Sequence, residues 1–536
     1  MKENFRYKWA TPGDINAFFG LMLDNVMNMV VLAGILIYVF GFKGEFVYTK
    51  MIPGTALGVM FGDIIYTRMA FKLAKKEGRQ DVTAMPLGLD APSTIGMAFA
   101  VIGPAFMAAK STMNIDDAQM LAWQIGMATM ILIGSFKLIM SFFGSAIQKL
   151  VPKAGLLGSL AGIGIALLGC LQLGDIFREP IIGMLSLGLI FYAIVAKIKL
   201  PFNLPGVLMS VVAGTALFYI LKAAGWLHNP PSTETAQFYL AFPVPTLGFL
   251  SGMEQAFTHY LPMAIPFAIL TVVGGINVNE SARLAGDNYN TRSILLTEAI
   301  ATLIAGICGG VSQSTPYIGQ PAYKAMGGRA AYTLATGLFV GFGGIFGYIP
   351  FMAQILPIYA LAPILIFVSF DITEQSFHQT PKRHAAAVCF AIFPSVAQLI
   401  LIILDQTDFH LLGAALDPLA VADATKHSPE FTEKLGVFVT LAHGFILTGM
   451  LWGAFLAFIL DRKLMSAVAT LIICGILSCF GLIHSILPTG GIYLPWSHEL
   501  GLSTFHYQWA AAYGLLAAVL WMLSFTKGAR EFRAIE

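Results

Sequence analysis

The chain has 536 residues, of which 57% are hydrophobic and only 11% charged, against about 25% charged residues in a soluble globular protein. That composition excludes a soluble enzyme or binding module and specifies an all-α polytopic membrane protein. The formal net charge of +2 says little, because the charges are segregated by side, and nothing points to a nucleic-acid partner.

A span needs about 20 mostly apolar residues. The N-terminus is polar, and the first apolar run, near 15–42, is too long for a cleavable signal peptide. Further segments follow near 51–73, 93–109, 119–143, 154–173, 180–197, 203–225, 260–279, 293–310, 316–326, 330–352, 355–373, 384–404, 435–460, 464–486 and 507–526. Those are about sixteen segments, two of them short and broken.

Most of the 31 Lys and Arg residues fall on alternate loops, among them Arg68, Lys72, Lys75, Lys76 and Arg79 after the second segment. The opposite loops near 226–259 and 487–505 have no Lys or Arg. The positive-inside rule then places both termini in the cytoplasm of a plasma membrane, the inner membrane in a bacterium.

The third and tenth segments carry the strongest signal. Residues 83–94 (TAMPLGLDAPST) and 312–323 (SQSTPYIGQPAY) each hold two prolines, a glycine and a polar Asp90 or Gln320. Proline lacks the N–H and clashes with the preceding turn, so neither runs as an unbroken helix. Non-helical backbone at membrane depth survives only inside protein or along a wet cavity. A matched pair of interrupted spans is the sequence mark of a secondary transporter's binding site. The pattern predicts two inverted seven-span repeats, 1–225 and 260–462, joined by an exterior loop at 226–259. Residues 463–536 add two peripheral spans and a cytoplasmic tail, and 405–433 reads as a long surface connection.

Residues 151–169 (VPKAGLLGSLAGIGIALLG) resemble the fifth-span signature of azaguanine/hypoxanthine-type purine permeases, within the nucleobase/ascorbate transporter family (xanthine/uracil permeases). Residues 292–309, 312–323 and 327–329 resemble that family's ninth and tenth spans, and 359–369 (YALAPILIFVS) its twelfth. The resemblance implies fourteen spans, with a core domain of spans 1–4 and 8–11 moving against a gate domain of spans 5–7 and 12–14. It also implies a mid-span carboxylate on the eighth span, where this chain has Thr271, and an acid on the tenth, where it has Gln320. Homodimers are common in that family.

In that fold the two half-helices start near the membrane midplane, where free N–H groups favour an anionic or carbonyl-rich ligand. The expected substrate-binding set is Asp90, Pro92, Ser93, Thr271, Ser314, Thr315 and Gln320. Ser93 and the residues before the tenth half-helix also fit helix caps. An acid in the bilayer costs about 3 kcal/mol or more, so Asp90 is a candidate for ion coupling as well as binding. Asp24, on a polar stripe with Asn25 and Asn28, and Glu280, the acid nearest Thr271, are further coupling candidates. Asp24 fits an interhelical clamp equally, and Glu280 a helix-end pair with Arg283. Asp63 reads as the partner of Arg68, whereas Lys137 either neutralises an acid or snorkels to the interface.

Five cysteines and ten histidines show no metal spacing, and no phosphate-cradling Gly-Lys-Ser/Thr motif is present. The expectation is therefore a permease rather than an enzyme, without cofactor or metal. It would move a small polar solute, a purine or related nucleobase, by proton or sodium symport with alternating access. An anion such as a carboxylate or inorganic ion is the alternative, and a channel the third reading.

Overall fold

The computed structural model describes residues 6–143, 152–196, 198, 200, 206–227, 237–317, 319–405, 429–487, 490–496 and 505–526. The surface connection expected near 405–433 falls, between 406 and 428, outside the described residues, as does the tail from 527 onward.

The chain is an all-α polytopic membrane protein of paired, interrupted repeats. The first repeat opens with α1 (Gly13–Val39) and α2 (Ile52–Glu77). The short strand β1 (Leu87–Leu89) then leads into α3 (Ala91–Lys110). It continues with α4 (Ile115–Met140), α5 (Lys153–Cys170), α6 (Pro180–Ile190) and α7 (Gly206–Ala223). The second repeat follows the same plan: α8 (Leu261–Leu284), α9 (Thr291–Ile307), β2 (Ser314–Pro316) and the half-helix α10 (Gln320–Ala325). Then come α11 (Ala331–Phe346, continued by Tyr348–Ile355), α12 (Ile358–His378), α13 (Ala385–Asp405) and α14 (Pro429–Ala442 with Phe445–Leu460). Two further helices, α15 (Leu464–Cys479) and α16 (Phe505–Leu523), close the chain. Among the described residues seven helices are long and apolar enough to cross a bilayer, or nine if each sharply bent pair is one span.

Two segments read as single spans are bent. Gly347 (φ 77°) turns α11 by 75°, and α14 turns by 86° at a break holding Gly444 (φ 73°). Both glycines sit in the left-handed region, which L side chains adopt only with strain.

The helices form two compact units, Met1–Ile147 with Gly174–Ala256 and Phe267–Ile364, and Gln148–Leu173 with Phe257–Pro266 and Leu365–Glu536. In the first, α11 lies along α2 because Gly337, Gly341 and Gly344 present backbone to Met60, Asp63 and Ala56. Such small-residue stripes allow close helix approach in membranes. There α9 packs on both α2 and α4. In the second, α5, α13 and α14 close around Ala154, Ala161, Ala387, Val388 and Ala457. Helix α16 is tied to α14 where Trp452 Nε1 donates to the Tyr513 hydroxyl at 2.7 Å.

Candidate functional site

The two broken spans meet as an antiparallel ladder in the first unit. Leu87 pairs with Pro316, Gly88 with Thr315 and Leu89 with Ser314. Asp90 N–H extends the ladder to the Gln313 carbonyl at 3.2 Å. Extended backbone cannot bond within itself, so its other edge must be satisfied by side chains. Asp63 of α2 accepts Leu87 N–H at 3.0 Å, and Asn25 of α1 accepts Leu89 N–H at 2.9 Å. The approach to β1 is held the same way. The hydroxyls of Tyr7, Tyr289 and Tyr332 donate to the carbonyls of Val82, Thr83 and Ala84 at 2.5, 2.7 and 2.6 Å. Asp63 thus holds the strand rather than Arg68: its carboxyl lies in the protein interior.

At the crossing, Asp90 caps α3, accepting Ser93 N–H at 3.0 Å, with Pro92 in the first turn where its missing N–H costs nothing. The Thr94 and Ser312 hydroxyls join the two broken segments at 2.5 Å. Lys137 of α4 neither snorkels nor faces lipid. Its ammonium lies 2.7 Å from Glu298 Oε1 of α9, both side chains wholly buried. It also donates to Thr302 Oγ1 at 3.2 Å, Gln313 Oε1 at 3.0 Å and the Ser314 carbonyl at 3.1 Å. Thr271 of α8 donates back to the Phe267 carbonyl at 2.9 Å and reaches Gln313 Oε1 at 3.5 Å. Clamped by Lys137 through its oxygen, Gln313 leaves its amide Nε2 buried and, among the described residues, without a partner, as is the nearby Ser314 Oγ. Thr315 Oγ1 is likewise buried with no hydrogen-bond partner among the described residues. Gly275 of α8 gives the Glu298 carboxylate room: a methyl there would stand 2.9 Å from Glu298 Oε2.

The structure therefore gathers Asp90, Pro92, Ser93, Thr271, Ser314 and Thr315 around one crossing. Of the other three sequence-predicted residues, Asp24 borders β1, whereas Gln320 and Glu280 lie away from the crossing. Gln320 donates to Asp287 Oδ2 at 2.9 Å and to the Thr83 carbonyl at 3.4 Å. Asp287 is buried and also takes Lys324 at 2.6 Å, Arg79 at 3.4 Å and Thr83 N–H at 3.1 Å, so Gln320 belongs to a polar latch. Within the latch Arg79 holds the Asp81 carboxyl below the usual carboxylate range. Asp24 accepts Asn28 Nδ2 at 3.4 Å and faces Gly88 of β1. Glu280 is exposed and paired with Arg283. Glu298 escaped the sequence reading, although a lone acid within the apolar run of the ninth span was the signal that singled out Asp90. Among the described residues no group of His, Cys, Asp and Glu is arranged to hold a metal ion.

No protein-family model matches the chain, and no curated protein sequence matches it. Solved structures do. The transmembrane domain of a cyanobacterial bicarbonate transporter, BicA, aligns with 18% identity over 73% of this chain and 96% of its own, at a TM-score of 0.50. A structure of SLC26A9 aligns with 12% identity over 74% of this chain and 66% of its own, at a TM-score of 0.47. The murine Slc26a9 anion transporter in its inward-facing state aligns with 14% identity over 75% and 70%, also at 0.47. These findings overturn the resemblance to nucleobase/ascorbate permeases. The glycine-rich fifth span and the ninth, tenth and twelfth spans that suggested it reflect backbone architecture, which does not fix the substrate. The fold of this chain is that of a bicarbonate transporter's transmembrane domain.

Proposed function

We propose that this protein is a secondary transporter of a small anion, an inorganic oxyanion or short carboxylate, working by alternating access with a coupled cation. The observation that carries the reading is the Lys137–Gln313 pair at the crossing: a buried ammonium beside a buried amide N–H with no partner. Unspent donors next to a fixed cation, at the start of α3, suit a negatively charged oxygen ligand. The eighth span brings Thr271 to the crossing, where the permease resemblance implied a carboxylate for a base's ring N–H groups. BicA, whose transmembrane domain shares this fold, is a bicarbonate transporter, in line with this reading.

The local charges ask for symport. Asp90 and Glu298 stand against the single Lys137, so an anion entering alone would add to an acid excess. A cation or proton that accompanies it restores the balance. The asymmetry of basic loops supports placement in the plasma membrane with both termini cytoplasmic.

The test is thermal stabilisation of the purified protein by bicarbonate, chloride, sulfate and formate, against uracil and xanthine. A ligand at 100 times its dissociation constant adds about 2.7 kcal/mol. Stabilisation by an anion, lost in Gln313→Ala, supports the proposal. Stabilisation by the bases alone contradicts it.

A further inference from the structure

Asp63 is an acid for which the anion site has no use. It lies in the middle of α2, wholly buried. One oxygen accepts Leu87 N–H at 3.0 Å, while Oδ2 has no hydrogen-bond partner among the described residues. Its titratable neighbours are Tyr66 on the same helix, Tyr323 on α10 and Tyr332 on α11. Beyond them Glu298 of α9 acts on Tyr66, and Asp24 of α1 on Tyr323. All are acids or phenols, and no cation among the described residues acts on Asp63. The neighbouring hydroxyls of Thr67 and Thr333 already bond each other at 2.8 Å.

An unpaired carboxylate in the interior costs several kcal/mol, and taking up a proton removes that cost. A hard metal cation takes about six oxygens, and here one stands free; a proton needs only one. Protonation of Oδ2 has a structural consequence. A charged acceptor makes a hydrogen bond roughly twice as strong as a neutral one. The bond in question holds the free edge of β1, which leads within one residue to Asp90 and α3.

We propose that Asp63 is the proton-carrying residue of this transporter. It takes a proton on Oδ2 in one half of the cycle, which loosens the hold on β1, and releases it in the other half, which tightens it. This role rests on the symport reading above; the proton site itself does not.

The experiment uses the full-length protein in liposomes and has two arms. Infrared difference spectra between about pH 8 and pH 5 should show a protonated-carboxyl stretch that grows on acidification and is missing in Asp63→Asn. Asparagine keeps the acceptor for Leu87 N–H but carries no exchangeable acid. Sulfate accumulation driven by a proton gradient should fall about tenfold or more in Asp63→Asn, while sulfate exchange at equal pH persists, and Asp63→Glu should restore the gradient response. If no anion is moved, the symport reading fails and the infrared arm still decides the proton site. Gradient-driven accumulation in Asp63→Asn equal to the parent's, or a spectrum without an Asp63 band that grows on acidification, overturns the proposal.

Discussion

Lys137 and Glu298 are each tolerable in the membrane interior only because of the other. A buried pair broken by removing one partner loses about 3–5 kcal/mol, because an uncompensated charge remains. Lys137→Met should therefore destabilise the protein by about that amount, and Lys137→Met combined with Glu298→Gln by clearly less. Chemical unfolding of the parent, the single and the double variant in detergent reads the difference; equal losses in the single and double variants would show the two charges to be independent. Gln313→Ala removes both an acceptor of Lys137 and the spare amide donor. Hydrogen bonds to charged groups contribute about 1.5–3 kcal/mol, so anion affinity should fall about tenfold or more with little change in fold, measured by titration of the purified protein. Asp90 was legible in the sequence as an acid between two prolines. Lys137 was legible as a charge in need of a partner, but the partner was not, because Glu298 is distant in sequence and only the packing of α9 on α4 joins them. The partner of Gln320 was hidden for a related reason: its amide donates to Asp287 in the loop after α8, which only the fold brings to it.

At the scale of elements, the broken spans could be read from proline and glycine spacing alone, since backbone chemistry forbids a helix there. What satisfies the strands could not be read, because the acceptors come from α1 and α2. Asn25→Leu tests this arrangement. It leaves Leu89 N–H without its acceptor at a cost of about 1–3 kcal/mol, and hydrogen exchange at Leu89 should accelerate while α4 remains protected. Unchanged exchange at Leu89 would mean another group holds the strand edge. The glycine contacts give a second check. A methyl at Gly54 would lie 2.3 Å from both the Cys308 carbonyl oxygen and Gly310 N. Gly54→Ala should cost about 1–3 kcal/mol or more through overpacking, visible as a lowered Tm. The bends at Gly347 and Gly444 were hidden in segments whose hydropathy ran on unbroken, because hydropathy reports burial and not φ.

For the whole molecule, composition and loop charge were enough to define a polytopic membrane protein, and the paired interruptions were enough to predict an inverted-repeat fold. Substrate was not legible at that scale. A family resemblance carried by glycine-rich and broken spans tracks the scaffold, while the proposed solute site is a few side chains at one crossing. There the acid expected on the eighth span is absent and a buried Lys137 stands on the fourth. What crosses the bilayer therefore decides between an anion and a nucleobase. The most direct measurement is counterflow of radiolabelled bicarbonate, sulfate and formate in liposomes holding the purified protein, with uracil and xanthine alongside. Saturable counterflow of an anion, abolished in Lys137→Met combined with Glu298→Gln, is the predicted result. Counterflow of a nucleobase with none of the anions would contradict the account.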